Sequence, residues 1–331
     1  MASPTNFHMS LAYAFLNRFE LNQKFYKCPA NWSSSEEDRV TRPVLGVYFM
    51  ASGGVLLTMY FLCLLSMLQR DLMKTPAYKI MICLAICDIP STFVNSIVTG
   101  LFGFFGLTFC DYPRFIFSCG AHGFGLWMGC SITCITLALC RISELNTRLN
   151  FNWIFHSGWM YVIILFFFLA PCYGVYFTKP IIFRPEYMSW FFDPGLDINP
   201  EYYVNLNQLY NNAGTSVITT ILYAWLIYFL KKEGDGSTSQ QISRTKRSVV
   251  FQAAIICSMH SCCSMLYVYM QFFYSPAWLI VGAQIGWQFS TGFVSVVYLT
   301  LNRTIRSSVV KMLVPEKYRV QNQVSHASST V

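Results

Sequence analysis

The sequence predicts an all-α membrane protein, a bundle of seven transmembrane helices, and three observations carry that reading. Of 331 residues, 54% are apolar and only 11% charged, against ~25% charged in soluble globular domains, so the chain lacks the polar surface to cover a water-exposed body. The charges are missing from long tracts rather than spread thin. Residues 44–69, 115–140, 149–178 and 202–230 hold no Asp, Glu, Lys or Arg, and 80–110 holds only Asp88. A further tract, 248–302, is too long for one span and breaks at Tyr274-Ser275-Pro276. A helix needs ~20 residues to cross a ~30 Å hydrocarbon core, and neither open sheets nor alternating barrel strands fit such tracts.

Taken in order, the tracts place helices near 44–68, 79–104, 113–140, 154–177, 203–230, 248–273 and 278–301. They divide the chain into an extracellular N-terminal segment (1–43), the bundle (44–302), and a cytoplasmic amphipathic segment with its tail (303–331). Orientation follows from the basic residues of the loops. Fifteen of the 23 Lys and Arg lie on one side, from Arg70 and Lys74 through Arg148 and Lys231 to Arg319, and eight on the other. The positive side is the cytoplasmic one, so the N-terminus is expected outside. The net charge of +8 is thereby a topology signal that needs no nucleic acid.

No basic residues precede the apolar stretch 7–16, so the first helix, rather than a cleaved leader, is expected to direct insertion. Asn31-Trp32-Ser33 is a glycosylation acceptor on the expected outer side. Asn302-Arg303-Thr304 has the same pattern on the inner side and is expected to stay unmodified. Of 13 cysteines, all but Cys28 and Cys110 lie within or at the edge of the helices, where Cys acts as a small apolar residue. Cys83/Cys87 and Cys130/Cys134 share helix faces, but no further ligand completes either pair, so neither a metal nor any other cofactor is expected. A phosphate-binding glycine loop, a nucleophile with a base beside it and a paired set of intramembrane carboxylates are all missing, which speaks against an enzyme.

Local motifs then carry a resemblance. Leu84-Ala85-Ile86-Cys87-Asp88 resembles the second helix of rhodopsin-like G-protein-coupled receptors. Leu137-Ala138-Leu139-Cys140-Arg141 resembles the cytoplasmic end of their third, Trp159 their fourth-helix tryptophan, and Tyr298 with Asn302 and Arg306 the end of their seventh. The chain departs from that pattern as well. Arg141 has no acidic neighbour in sequence, Val294-Ser295 stands where Asn-Pro is usual, and the fifth and sixth helices have no proline. A closer resemblance, over residues 26–310, is to the nematode serpentine receptors of class T. It rests on Tyr26-Lys27-Cys28-Pro29, Tyr78-Lys79-Ile80-Met81, the segment 106–113 with Cys110, and Trp190-Phe191-Phe192-Asp193-Pro194. This resemblance implies a chemosensory plasma-membrane receptor that couples to a heterotrimeric G protein. Rhodopsin-like receptors tie the top of the third helix to the second outer loop, yet residues 179–201 contain no cysteine. Cys28 is the one clear outer candidate, and a Cys28–Cys110 disulfide is expected.

Site residues are weighed on that basis. Asp88, costly within a membrane at ~2.5–3.5 kcal/mol, is either a polar switch between the second, third and seventh helices or a structural group bonded to Asn95. Arg141 either lies under the G protein, with Asp88 and Tyr298 in the activation machinery, or snorkels to lipid headgroups. The basic loop 231–248 faces the same choice between G protein and anionic lipid. The resemblance puts a ligand pocket between the outer halves of the third, fifth, sixth and seventh helices, with His122, Asn207, Asn211, Tyr267, Gln271, Gln284 and Trp287 as candidates. Each could equally link helix to helix. No acidic residue lies in those halves, which favours a small neutral or weakly polar ligand over an amine. The C-terminus, Ser329-Thr330-Val331, has the form that PDZ domains read by strand addition. The rival reading is a seven-helix transporter or ligand-gated channel, for which intramembrane charges, broken helices in related positions and internal repeats would be the signature.

Overall fold

A backbone group in hydrocarbon has no water to bond, so each apolar tract closes its hydrogen bonds upon itself as a helix. A computed structural model describes residues 4–30, 32, 39–145, 152–156, 158–234 and 240–314; Asn31, Ser329 and Val331 lie outside the described residues. The helices of the bundle are the first, Pro43–Met67; the second, Pro76–Phe105; the third, Pro113–Leu145; the fourth, Trp159–Phe177; the fifth, Leu206–Gly234; and the sixth, Gln240–Phe272. The seventh is Ala277–Gly292 continued by Val294–Leu301, with a 45° bend between them. Among the described residues, five of these are long and apolar enough to cross a membrane, and the bent pair makes a sixth. The fifth helix packs between the third and the sixth and closes the bundle. Proline opens the first, second and third helices, where its missing N–H costs nothing.

Helix ends and charge-free tracts do not coincide. The third helix runs past residue 140 to Leu145, and the sixth starts at Gln240 rather than 248. An absence of charge marks the hydrocarbon, whereas a helix can continue into water. The fourth helix starts at Trp159, after a separate turn of helix at Asn152–His156, and Pro200–Tyr203 forms a 3-10 turn ahead of the fifth.

Two helices are irregular. Pro90 lies inside the second helix and a π-helical stretch, Phe93–Val98, follows it. There the Thr99 hydroxyl donates back to the Val94 carbonyl at 3.0 Å. The seventh bends at Phe293 without a proline. Gly292 lets the backbone approach Leu56 of the first helix, where a Cβ would sit 2.9 Å from the Leu56 side chain. The Ser295 hydroxyl donates to the Gly292 carbonyl at 2.8 Å, a back-bond of the kind that bends helices.

One end of the bundle carries a hairpin and the N-terminal segment. Strands β1 (Ile182–Arg184) and β2 (Ser189–Phe191) form an antiparallel hairpin with Phe183 opposite Trp190. The hairpin dips between the helices: Trp190 Nε1 donates to Thr99 Oγ1 at 2.8 Å, and Ser189 Oγ donates to Gln284 Oε1 at 3.2 Å. The N-terminal segment packs against the third and fourth helices, with short helices Pro4–His8 and Leu11–Leu16, buried through Met9, Leu11, Ala14, Phe25 and Tyr26. Tyr26 packs edge-on against Phe117 at 5.0 Å, and Tyr203 donates its hydroxyl to the Phe25 carbonyl. A Cys28–Cys110 disulfide ties this segment to the loop before the third helix, with Cα atoms 5.7 Å apart. At the opposite end, helix Arg303–Leu313 lies against the first helix, capped by the Asn302 side chain, which accepts from Ile305 N–H at 3.1 Å.

The hairpin's seat depends on Gly120, because a Cβ there would run into the Ile181 carbonyl just before β1. Gly120→Ala is therefore expected to push the hairpin off the third helix and destabilise the protein by about 1–3 kcal/mol. Gly54→Ala, which meets nothing within 4 Å, is the matched control. Thermal unfolding of the two purified variants checks this, and equal midpoints would refute it.

Candidate functional site

Beneath the hairpin, the third helix presents Gly123, Phe124 and Trp127 to a small pocket. Ile181 and Trp190 form its roof, Gln208 and Tyr267 one wall, and Trp287 the other. Its volume is about 30 Å³, the space of one water molecule. Its floor is polar. The Trp127 ring stacks on His260 at 4.0 Å between centroids, and Trp127 Nε1 donates to Asn212 Oδ1 at 2.8 Å. Ser131 Oγ accepts from Asn211 Nδ2 at 2.9 Å and lies 2.9 Å from His260 Nε2. One stack and three hydrogen bonds thus join the third, fifth and sixth helices below the pocket. Trp287 Nε1 and Asn212 Nδ2, both buried, have no hydrogen-bond partner among the described residues.

A second polar layer links the first, second and seventh helices. The π-helical stretch turns Asn95 and Ser96 toward the seventh helix. Asn95 Nδ2 donates to Thr291 Oγ1 at 3.0 Å, and Gln288 Nε2 donates to Ser52 Oγ at 2.9 Å and Ser96 Oγ at 3.0 Å. Deeper still, Asp88 accepts from the Tyr60 hydroxyl at 2.7 Å and from the Cys130 thiol at 2.9 Å. Asn95 is thus engaged by the seventh helix and not by Asp88. The Tyr298 ring meets Tyr60 edge-on at 6.1 Å.

Farther along the third helix, Arg141 is buried at 6% exposure. It has no acidic neighbour in sequence, but Glu144, one turn on, takes that part: Arg141 Nη1 donates to Glu144 Oε2 at 2.7 Å. Arg141 Nε has no hydrogen-bond partner among the described residues.

The sequence-derived candidates separate on this geometry. Tyr267 and Trp287 line the small pocket, and Asn211 belongs to its floor. Gln271 reaches the Oε1 of Gln208 through its Nε2 at 3.1 Å and lines a side cleft of about 300 Å³ at the adjoining ends of the fifth and sixth helices. Gln284 is buried between the second helix and the hairpin, donating to the Asn95 carbonyl at 3.0 Å. His122 points to the outside of the bundle, bonded to the Ser118 carbonyl of its own helix at 2.8 Å, beside Cys83, Leu126 and Phe168. Asn207 is half-buried and lines neither pocket nor cleft. Trp127, Trp190 and Gly123 escaped the sequence reading. For Trp190, the apolar runs 181–183 and 190–192 on either side of Pro185-Glu186-Tyr187-Met188 are a legible hairpin signal. For Trp127, nothing in the sequence separates it from a lipid-facing tryptophan.

Near the side cleft, Lys179 is buried, and its ammonium donates to the carbonyls of Tyr202 and Val204 at 2.6 and 2.9 Å. Burial lowers its pKa below the ordinary lysine value of 10.5. The neighbouring Tyr203 phenol is pushed up to about 12, chiefly by burial and secondarily by Asp193.

A family model for serpentine-type seven-transmembrane G-protein-coupled chemoreceptors of the Srt kind matches residues 9–322. Serpentine receptor class T-55 of Caenorhabditis elegans is 22% identical over 296 residues, which are 87% of this chain and 78% of that protein. The crystal structure of squid rhodopsin superposes with a TM-score of 0.61 at 11% identity, over 87% of this chain and 91% of the rhodopsin. That last likeness concerns the fold alone.

The Lys179 contact can be tested by thermal unfolding. Lys179→Met leaves the Tyr202 and Val204 carbonyls without their donor, at about 1 kcal/mol each, and should lower the midpoint by a few degrees. The unfolded chain holds this proton more tightly than the folded one. Stability therefore rises with pH between the lowered folded value and 10.5, where the unfolded state binds more protons. That upward slope should be absent in Lys179→Met; the same slope in both proteins would refute the assignment.

Proposed function

The chain belongs to the Srt family of serpentine seven-transmembrane G-protein-coupled chemoreceptors, and from that premise we propose that it is a plasma-membrane chemosensory receptor. It is a multi-pass membrane protein. In the proposed topology the hairpin end is extracellular and the Arg141 end cytoplasmic, in keeping with the excess of Lys and Arg on the latter side. A small neutral or weakly polar ligand binds the pocket beneath the hairpin, and a heterotrimeric G protein binds at Arg141.

The observation that carries this reading is the continuity of the third helix. One helix, Pro113–Leu145, holds Trp127 at the pocket floor, Cys130 at Asp88 and Arg141 at the far end. A ligand that shifts Trp127 against His260 displaces the same rigid element that carries Arg141. The Asp88–Tyr60–Cys130 contacts and the bend at Phe293 supply the joints about which the first, second and seventh helices re-pack. Such a re-packing biases two discrete arrangements rather than a continuum. In the resting arrangement Glu144 neutralises Arg141. Release of Arg141 is the step that exposes it to the G protein.

Ligand-dependent guanine nucleotide exchange, in cells expressing the chain and exposed to volatile and soluble compounds, tests the proposal. Arg141→Ala should abolish exchange at unchanged surface expression, and Glu144→Gln should raise ligand-independent exchange several-fold. A ligand-gated current without exchange would overturn the receptor reading. Topology has its own test. Asn31 should carry a glycan and Asn302, buried as a helix cap, should not; a sugar on Asn302 would invert the orientation.

A further inference from the structure

The pocket beneath the hairpin is covered on one side by Ile181 and Trp190, and Trp190 is held by Thr99. At about 30 Å³ it is also far below the ~300–1,000 Å³ of ordinary ligand sites. Beside it, a cleft of about 300 Å³ lies between the chain 191–205 and the adjoining ends of the fifth and sixth helices, where Leu209, Gln271 and Phe272 line it. Two contacts form the partition between the spaces. Gln208, a wall of the pocket, is bonded to Gln271, a wall of the cleft, at 3.1 Å. Phe124 of the pocket meets Phe192 of the cleft edge-on at 5.5 Å. Breaking them would open the pocket into the cleft, which is by itself at the lower end of ordinary ligand size.

Phe272, which lines the cleft, and its sequence neighbours Phe273 and Tyr274 are exposed at 60% or more, as is Tyr210, one residue beyond the cleft-lining Leu209. Tyrosine gathers at the membrane–water interface, so Tyr210 and Tyr274 put this side of the cleft at the level of the lipid headgroups. The pocket lining contains no charged residue. In the cleft, the Asp193 carboxylate already accepts from Gly195 N–H at 2.9 Å, and the nearby Lys179 ammonium is engaged by two carbonyls. Among the residues that line the pocket, Trp287 has a buried indole N–H with no acceptor among the described residues.

We infer that the ligand reaches the pocket sideways from the membrane interface, through this cleft, with the Gln208–Gln271 pair as its latch, and that it is an uncharged molecule carrying a hydrogen-bond acceptor. The inference rests on the receptor reading for what the pocket is for, but not for how it is reached.

Thiol labelling of the full chain in lipid nanodiscs tests it, with a reporter thiol placed in the pocket by Tyr267→Cys and rates read peptide by peptide to separate native cysteines. The probes are uncharged N-ethylmaleimide and the permanently cationic trimethylammonium-ethyl methanethiosulfonate, each normalised to its rate with a free thiol. The uncharged probe should react much the faster. Gln271→Ala, or Gln208→Ala should the first variant not fold, should speed it roughly threefold or more, as expected for losing one interhelical hydrogen bond. Leu209→Trp should slow it. Cyclohexanone should protect the thiol better than methylcyclohexane, and Trp287→Phe should erase the difference. Equal rates for the two probes, indifference to all cleft substitutions, or control of the rate by Trp190→Ala would overturn the sideways route. Equal protection by the two cyclic compounds would overturn the acceptor assignment. Labelling requires no signalling, so a chain that admits the uncharged probe by this route but never drives nucleotide exchange would sink the receptor reading and leave the route standing.

Discussion

Asp88 has both carboxylate oxygens engaged, one by a phenol from the first helix and one by a thiol from the third. In hydrocarbon a polar atom has no solvent to turn to, so its partner must come from the protein itself, and a carboxylate, which no carbonyl can satisfy, takes it from other helices. Much of the interior follows from that constraint. The amides of Asn95 and Gln288 bind the second helix to the first and seventh, Gln284 joins the second helix to the hairpin, and Asn211 and Asn212 attach the fifth helix to the third. Proline and glycine irregularities make these meetings possible. The π-helical stretch after Pro90 rotates Asn95 and Ser96 toward the seventh helix, and Gly292 lets that helix bend against Leu56. Side-chain hydroxyls of Thr99 and Ser295 bond the carbonyls beside each irregularity.

The hairpin end obeys different physics. It lies where water, lipid headgroups and protein meet, and it is held by aromatic packing, a disulfide and a buried lysine. Lys179 is instructive because it has no carboxylate partner among the described residues; its donors hold the backbone carbonyls of Tyr202 and Val204, fixing the chain that borders the side cleft. The hairpin is held by Trp190 against the second helix, while Tyr26 and Tyr203 tie the N-terminal segment to the third helix and to the chain before the fifth.

At the Arg141 end a buried charge finds its partner one turn along its own helix. The residues flanking Arg141 are Cys140 and Ile142, yet its charge is met at 2.7 Å by Glu144 one turn later. The bend expected of a proline in the seventh helix is likewise made by Gly292 and Ser295.

Hydrocarbon thickness acts along the chain, and so it can be read along the chain. Composition and charge-free tracts alone determined seven helices, their order, and the isolation of Asp88 within the second. The helix ends were less legible, since Glu144 continues a helix beyond the tract that charge defines. Which helix faces meet was not legible at all. His122, Asn207, Asn211 and Gln284 looked equivalent in sequence. Only packing turned His122 outward, put Asn211 under the pocket, buried Gln284 behind the hairpin and left Asn207 outside the lining, while bringing Trp127 into it unannounced. Rotation of a helix about its axis is decided by all its neighbours at once, through close approaches such as Gly120 against Ile181 and pairings such as Gln208 with Gln271. A one-dimensional pattern in a uniformly apolar helix carries no record of them.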